Sequence, residues 1–91
     1  DAMQLAGGGR EVPIVCRITI GREKDNTIHL DDTLVSRHHA LVQKIRDDYF
    51  VKDLDSTNGT FVNETPVPKG KYARLRRGDV LRIGRTELKL Q

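Results

Sequence analysis

The feature that most constrains this chain is the rhythm of its turns. Turn-forming clusters recur every several residues: Gly7-Gly8-Gly9-Arg10, Gly21-Arg22, Asp31-Asp32-Thr33, Arg46-Asp47-Asp48, Asn58-Gly59, Asn63-Glu64-Thr65-Pro66, Arg77-Gly78-Asp79 and Gly84-Arg85. No window between them sustains a capped 3.6-residue period, which a helix would require. The intervening segments are short and β-prone. Such punctuation predicts an all-β sandwich or barrel.

Met3-Gln4-Leu5 reads as a first strand, with the triple glycine either its hairpin turn or a flexible head. In Glu11–Val15, Pro13 cannot donate to a ladder and predicts an edge strand or strand end. Ile18-Thr19-Ile20 is β-branched and stops at Gly21, whose freedom is expected to let the backbone leave the strand at an unusual angle. Ile28 and Leu30 should face inward, with His29 outward. Ala40–Ile45 and Tyr49–Leu54 form the arms of a hairpin; the second arm is apolar on both faces, which leaves its inward side open. Phe61-Val62 is a short strand. Val67-Pro68 and Tyr72–Leu75 are weaker candidates. Val80–Ile83 and Glu87–Leu90 alternate as a terminal hairpin around Gly84-Arg85.

A length of 91 residues fits one domain, with a core from about residue 3 to 90. The first residue is not Met, and the expectation is a domain excised from a longer multidomain protein. Apolar residues make up 36% of the chain and sit in short runs, which separates it from a disordered chain. The lone Cys16 excludes an internal disulfide and fits a reducing compartment. No segment suits a membrane span or a signal peptide. An intracellular location follows, cytoplasmic, or nuclear if the source is eukaryotic. The net charge of +3 favours anionic partners but falls short of a dedicated nucleic-acid binder.

The most concentrated polar stretch is Ser36-Arg37-His38-His39. A hydroxyl, a guanidinium and two imidazoles in a row fit poorly inside a half-buried strand. They belong on a loop tip, where a serine hydroxyl beside an arginine suits a phosphate. Gly21-Arg22 and Ser56-Thr57-Asn58-Gly59-Thr60 are two further polar turns. In order, glycine-arginine at Gly21-Arg22, serine-x-x-histidine at Ser36 to His39, Asn58-Gly59 and the late Gly78-Asp79 resemble the forkhead-associated (FHA) domain. The resemblance runs from about Leu5 to Leu90.

That resemblance implies an eleven-stranded β-sandwich of two antiparallel or mixed sheets with its ligand loops at one end. It implies a non-enzymatic module that recognises phosphothreonine and mediates phosphorylation-dependent protein–protein interaction in signalling. Arg22 and Ser36 would grip the phosphate. Arg37 would add a second basic contact. Thr57 would touch the phosphate or the threonine methyl, and Asn58 would bond the peptide backbone. Gly21, His39 and Gly59 would hold the loops in shape. No cofactor is implied. The partner would be a phosphothreonine-bearing protein, on another chain or on the same parent chain, with a Ser/Thr kinase upstream.

Competing readings are weaker on chemical grounds. Adjacent His38 and His39 point to opposite sides of an extended segment, and no third metal ligand is placed by spacing. A Ser36/His39/Asp53 hydrolase lacks a nucleophile-elbow pattern. The basic run from Lys69 to Arg85 could bind nucleic acid, but with only Tyr72 to stack on a base it reads better as a solvated face. A sandwich that binds unphosphorylated partners is the remaining alternative.

Overall fold

The structure is a computed structural model that describes residues 2–91. Eleven strands form among them: β1 (Gln4–Gly7), β2 (Arg10–Pro13), β3 (Arg17–Gly21), β4 (Ile28–His29), β5 (Ala40–Ile45), β6 (Asp48–Asp53), β7 (Thr60–Val62), β8 (Thr65–Pro66), β9 (Tyr72–Leu75), β10 (Val80–Ile83) and β11 (Thr86–Leu90). They make a six-stranded sheet in the order β2-β1-β11-β10-β7-β8 and a five-stranded sheet in the order β4-β3-β5-β6-β9. Only β3 and β4 pair in parallel. The two sheets are therefore antiparallel and mixed, as expected of the sandwich.

Most of the boundaries follow the turn residues. The triple glycine does serve as a hairpin turn, since Gly7 pairs with Arg10 across it. Pro13 lies on β2, an edge strand, where its missing N–H breaks no ladder. Asn63-Glu64-Thr65-Pro66 is tighter than the sequence suggested. Asn63 and Glu64 alone make the turn, both with positive φ, and Thr65-Pro66 already forms edge strand β8. Val67-Pro68 adds no strand. Val67 is buried instead, and its N–H donates to the Thr60 carbonyl at 2.8 Å.

The inward face of β6, open in sequence, is fixed by register. Tyr49, Val51 and Asp53 point into the sandwich, while Phe50 and Lys52 sit on the outer face. The apolar phase takes the inner side because Val42 and Leu75 meet it there on the neighbouring strands. The core is aliphatic, built from residues such as Leu5, Ile20, Ile28, Leu81, Ile83 and Leu88, each contributing roughly 1.5–3 kcal/mol on burial. Its one aromatic ring is Tyr49, whose hydroxyl accepts the Met3 N–H at 2.8 Å and so anchors the start of β1.

The turn between β10 and β11 is pinned to the long loop between β4 and β5. Asp32 Oδ2 accepts the Arg85 N–H and Oδ1 meets Arg85 Nη1, both at 2.9 Å, while Oδ1 also takes the Leu34 N–H at 2.9 Å. The Leu34 N–H first, and then the Arg85 N–H, hold the Asp32 carboxyl below the usual carboxylate range. Gly84 makes the approach possible. Its φ is +59°, and a Cβ there would lie 2.6 Å from Asp32 Oδ2 and 2.7 Å from Val35 Cγ2. Gly84→Ala is expected to destabilise the domain by about 1–3 kcal/mol, read as a lower urea midpoint at unchanged m-value. An unaltered midpoint would show that this turn does not support the loop.

Candidate functional site

Three loops converge at one end of the sandwich, joined mainly by side chains that bind backbone. The loop after β3 runs beside the loop before β5, with Arg22 N–H donating to the Ser36 carbonyl at 3.0 Å and Glu23 N–H to the Arg37 carbonyl at 3.1 Å. Asn26, almost fully buried, reinforces the seam. Its Nδ2 donates to the carbonyls of Glu23 at 2.7 Å and Arg37 at 2.9 Å. This crossing explains Gly21, though not as the sequence suggested. The residue does not use positive φ. A Cβ there would overlap the Arg37 carbonyl oxygen, so the need is close approach of two backbones.

The third loop, between β6 and β7, is tied to the second by an imidazole and two further hydrogen bonds. His39 is wholly buried. Its Nδ1 accepts the Ser36 N–H at 3.0 Å, so Nε2 carries the proton and donates to the Gly59 carbonyl at 2.8 Å. Gly59 reaches that position at φ +89°. Ser36 Oγ accepts the Thr57 N–H at 3.1 Å, and Asn58 Nδ2 donates to the Leu34 carbonyl at 2.9 Å. The structuring roles expected of Gly21, His39 and Gly59 have a physical basis in these contacts.

Beneath the third loop lies a carboxylate whose part the sequence did not disclose. Asp53 is fully buried at the end of β6. Its Oδ1 accepts the hydroxyls of Ser56 and Thr60, both at 2.6 Å, and its Oδ2 accepts the Ser56 N–H at 3.0 Å. Ser56 Oγ in turn accepts the Gly59 N–H at 2.9 Å. Burial alone pushes the Asp53 carboxyl up; the two hydroxyls and the Ser56 N–H outweigh it and leave the group below the usual carboxylate value. The acidic residue at the end of a strand and the two hydroxyls in the following turn are the sequence signal for this knot. The same contacts dispose of the hydrolase constellation. Asp53 is occupied by Ser56 and Thr60, and neither ring nitrogen of His39 is left to serve Ser36 Oγ.

The loops enclose an open groove of about 460 Å³, bordered by Arg22, Ser36, Arg37, Thr57 and Asn58, with Thr33, Leu34, Val35 and His38 completing it. The five residues singled out as ligand contacts thus share one surface. Arg22 is held in place by its Nε, which donates to the Val35 carbonyl at 2.9 Å and leaves its Nη hydrogens available. Ser36 keeps its own hydroxyl hydrogen, because its oxygen is the acceptor from Thr57. Asn58 retains its Oδ1 and one N–H. Arg37 is more loosely placed, 73% exposed and 3.8 Å from Glu23. The groove presents cationic and hydroxyl donors together, which suits a phosphoryl group.

The basic run from Lys69 to Arg85 does not form one free cationic strip. Arg74 pairs with Asp48 at 2.8 Å, Arg82 with Glu64 at 2.9 Å and Arg85 with Asp32 at 2.9 Å. The Arg82 guanidinium also lies 4.2 Å from the Phe61 ring centroid. Among the described residues, no helix is long and apolar enough to cross a membrane.

A two-sheet sandwich whose loops build a basic, hydroxyl-lined groove at one end defines a phosphopeptide-recognition class of domain. The family model of the FHA domain matches residues 18–84, and the chain belongs to the FHA family. The chain is 43% identical over 68 residues to the oxoglutarate dehydrogenase inhibitor of Corynebacterium jeikeium, a match covering 75% of this chain and 45% of that protein. It is equally identical to the glycogen accumulation regulator GarA of Mycobacterium tuberculosis, over 75% of this chain and 40% of the relative. The chain spans less than half the length of these curated relatives. A solved FHA domain described for its phosphothreonine-dependent interactions superposes with a TM-score of 0.89 at 34% identity, covering 100% of this chain and 96% of the other.

Because the folded value of Asp53 lies below the unfolded one, its carboxylate stabilises the fold above about pH 4. That contribution is lost as pH falls through the lowered value. Asp53→Asn is expected to lower stability at neutral pH by about 2–4 kcal/mol and to flatten the acid limb of the stability–pH curve. Denaturant titrations from pH 3 to 7 read both; an acid limb as steep as that of the parent protein would contradict the assignment.

Proposed function

We propose that this chain recognises phosphothreonine in a partner protein and so makes a protein–protein contact conditional on kinase activity. The observation that carries the reading is the convergence of Arg22, Ser36, Arg37, Thr57 and Asn58 on one groove. It is supported by membership of the FHA family and by the likeness to domains whose interactions are phosphothreonine-dependent.

The proposed roles follow from donor geometry. A phosphothreonine brings about −1.5 to −2 charges and three acceptor oxygens. Arg22 supplies a pre-oriented charged fork and Ser36 a hydroxyl donor. Arg37 swings from Glu23 to add charge. The Thr57 side chain meets the phosphate or the threonine methyl. Asn58, half committed to Leu34, offers its remaining N–H and Oδ1 to the peptide backbone, which has one donor and one acceptor per residue. This division gives the phosphate most of the affinity and the asparagine the orientation of the chain. The reading is that of a binding module and not an enzyme. It also implies a Ser/Thr kinase acting upstream on the partner, which lies on another chain or elsewhere on the parent chain.

A charge-assisted bond contributes roughly 1.5–3 kcal/mol net, and association opposes the sum of several. A dissociation constant in the low micromolar range or weaker is expected, about −8 kcal/mol or less favourable. Calorimetric titration with a phosphothreonine peptide library and its dephosphorylated twins tests this. Dephosphorylation, Arg22→Ala or Ser36→Ala should each reduce affinity at least about tenfold, since each removes a charge-assisted contact. Equal binding of phosphorylated and unphosphorylated peptides would overturn the reading in favour of a phosphate-independent scaffold.

His39→Ala should weaken the same binding indirectly, together with a fall in melting temperature, because it frees both the Ser36 N–H and the Gly59 carbonyl. Complete loss of binding at an unchanged melting temperature would instead place the imidazole in direct contact with ligand.

A further inference from the structure

His38 is the ionisable groove residue to which the phosphothreonine reading assigns no part. In the structure it borders the same groove as Arg22 and Arg37, with its side chain about half exposed. Its imidazole is not free. Nε2 sits 3.2 Å and 3.3 Å from the two oxygens of Asp25, on the loop between β3 and β4. Nε2 therefore carries a hydrogen, and protonation at Nδ1 converts the ring to a cation without breaking that contact.

Charged groups of both signs lie on the loops around the ring. Asp25 is in direct contact with it, and Glu23 and Lys24 lie on the same loop as Asp25. Arg37, its neighbour in sequence, and Arg22 border the same groove. Thr57 and Asn58, which face the groove from the third loop, are uncharged. A phosphoryl group seated in the groove neutralises the two guanidiniums and adds negative charge of its own. The balance then moves towards the protonated ring. Histidine is the side chain whose ordinary titration range lets such a shift act near neutral pH.

We propose that His38 is a third cationic contact for the bound phosphopeptide, with Asp25 as its counter-ion, and that binding takes up a proton at this ring. The inference rests on the phosphothreonine reading and adds to it a residue and a linkage. The proton comes from solvent, goes to His38 Nδ1, and returns on release of the peptide. Affinity thereby gains a pH dependence beyond that of the phosphate, whose own second ionisation lies near pH 6.

The test is calorimetry of one phosphothreonine peptide with the parent protein, His38→Gln and Asp25→Asn, at pH 6, 7 and 8, in buffers of differing ionisation enthalpy. The slope of heat against buffer enthalpy counts protons taken up. Titration of the free peptide's phosphate is common to every protein, so the difference reads the coupled His38–phosphate pair. The parent protein should take up roughly 0.3–0.5 proton more than His38→Gln near pH 7. His38→Gln should bind about 3–5-fold more weakly at pH 6 and nearly as well as the parent at pH 8. Asp25→Asn should move the extra uptake to lower pH. Equal proton counts for the parent and His38→Gln, with binding intact, would overturn this inference alone. No binding by the parent protein at any pH would overturn it together with the phosphothreonine reading. Imidazole proton shifts of His38, followed by NMR with and without peptide, keep the result decisive should Asp25→Asn fold poorly. They should titrate at higher pH when peptide is bound, and an unmoved titration would count against the proposal.

Discussion

The functional end of this domain depends on a single buried ring. The His39 imidazole takes a backbone hydrogen from Ser36 and gives one to the Gly59 carbonyl, so one neutral side chain ties together loops that are 20 residues apart in sequence. Both nitrogens are used, and the Nε2–H tautomer is the one that satisfies both partners. A glutamine or asparagine could supply an acceptor and a donor, but not at opposite corners of a rigid plane. The spacing of Ser36 and His39 is set by this geometry: the loop must turn back on itself for the Ser36 amide to meet a ring three residues later.

Around that ring the protein uses buried or partly buried polar groups as fasteners for irregular backbone. Loops cannot satisfy their amides in a ladder, so each needs a side-chain partner or water. Asn26 serves the crossing of the first two loops, Asp53 the turn of the third, and Asp32 the join to the terminal hairpin. The charged fasteners are kept ionised by the hydrogens they collect. The aliphatic core below holds the strand ends in place and takes Leu30 and Val35 from the loop between β4 and β5.

The legibility of the sequence followed the same division. Strands were readable because their apolar phase and their turn residues act locally. Arg22, Ser36 and Asn58 were readable because their order matched a known pattern. The reason for Gly21 was not, since it lies in the approach of Arg37, 16 positions away, and nothing in a single sequence reports that distance. Asp53 was hidden for a related reason. An aspartate at the end of a strand looks like a solvated charge until its register places it on the inner face of β6. Thr65-Pro66 looked like turn and became strand because the two residues before them accepted positive φ and completed the reversal early.

The Nε bond from Arg22 to the Val35 carbonyl has a kinetic consequence. A guanidinium already aimed needs no search when a ligand arrives, so encounter should run at about 10⁶–10⁷ M⁻¹s⁻¹ for so open a groove. With a dissociation constant in the micromolar range, each complex then lasts on the order of a second or less. A captured phosphate would be shielded only briefly and would return to solvent many times a minute. Phosphatases would reach the mark in proportion to its unbound fraction, and occupancy would follow the level of phosphorylation without appreciable lag.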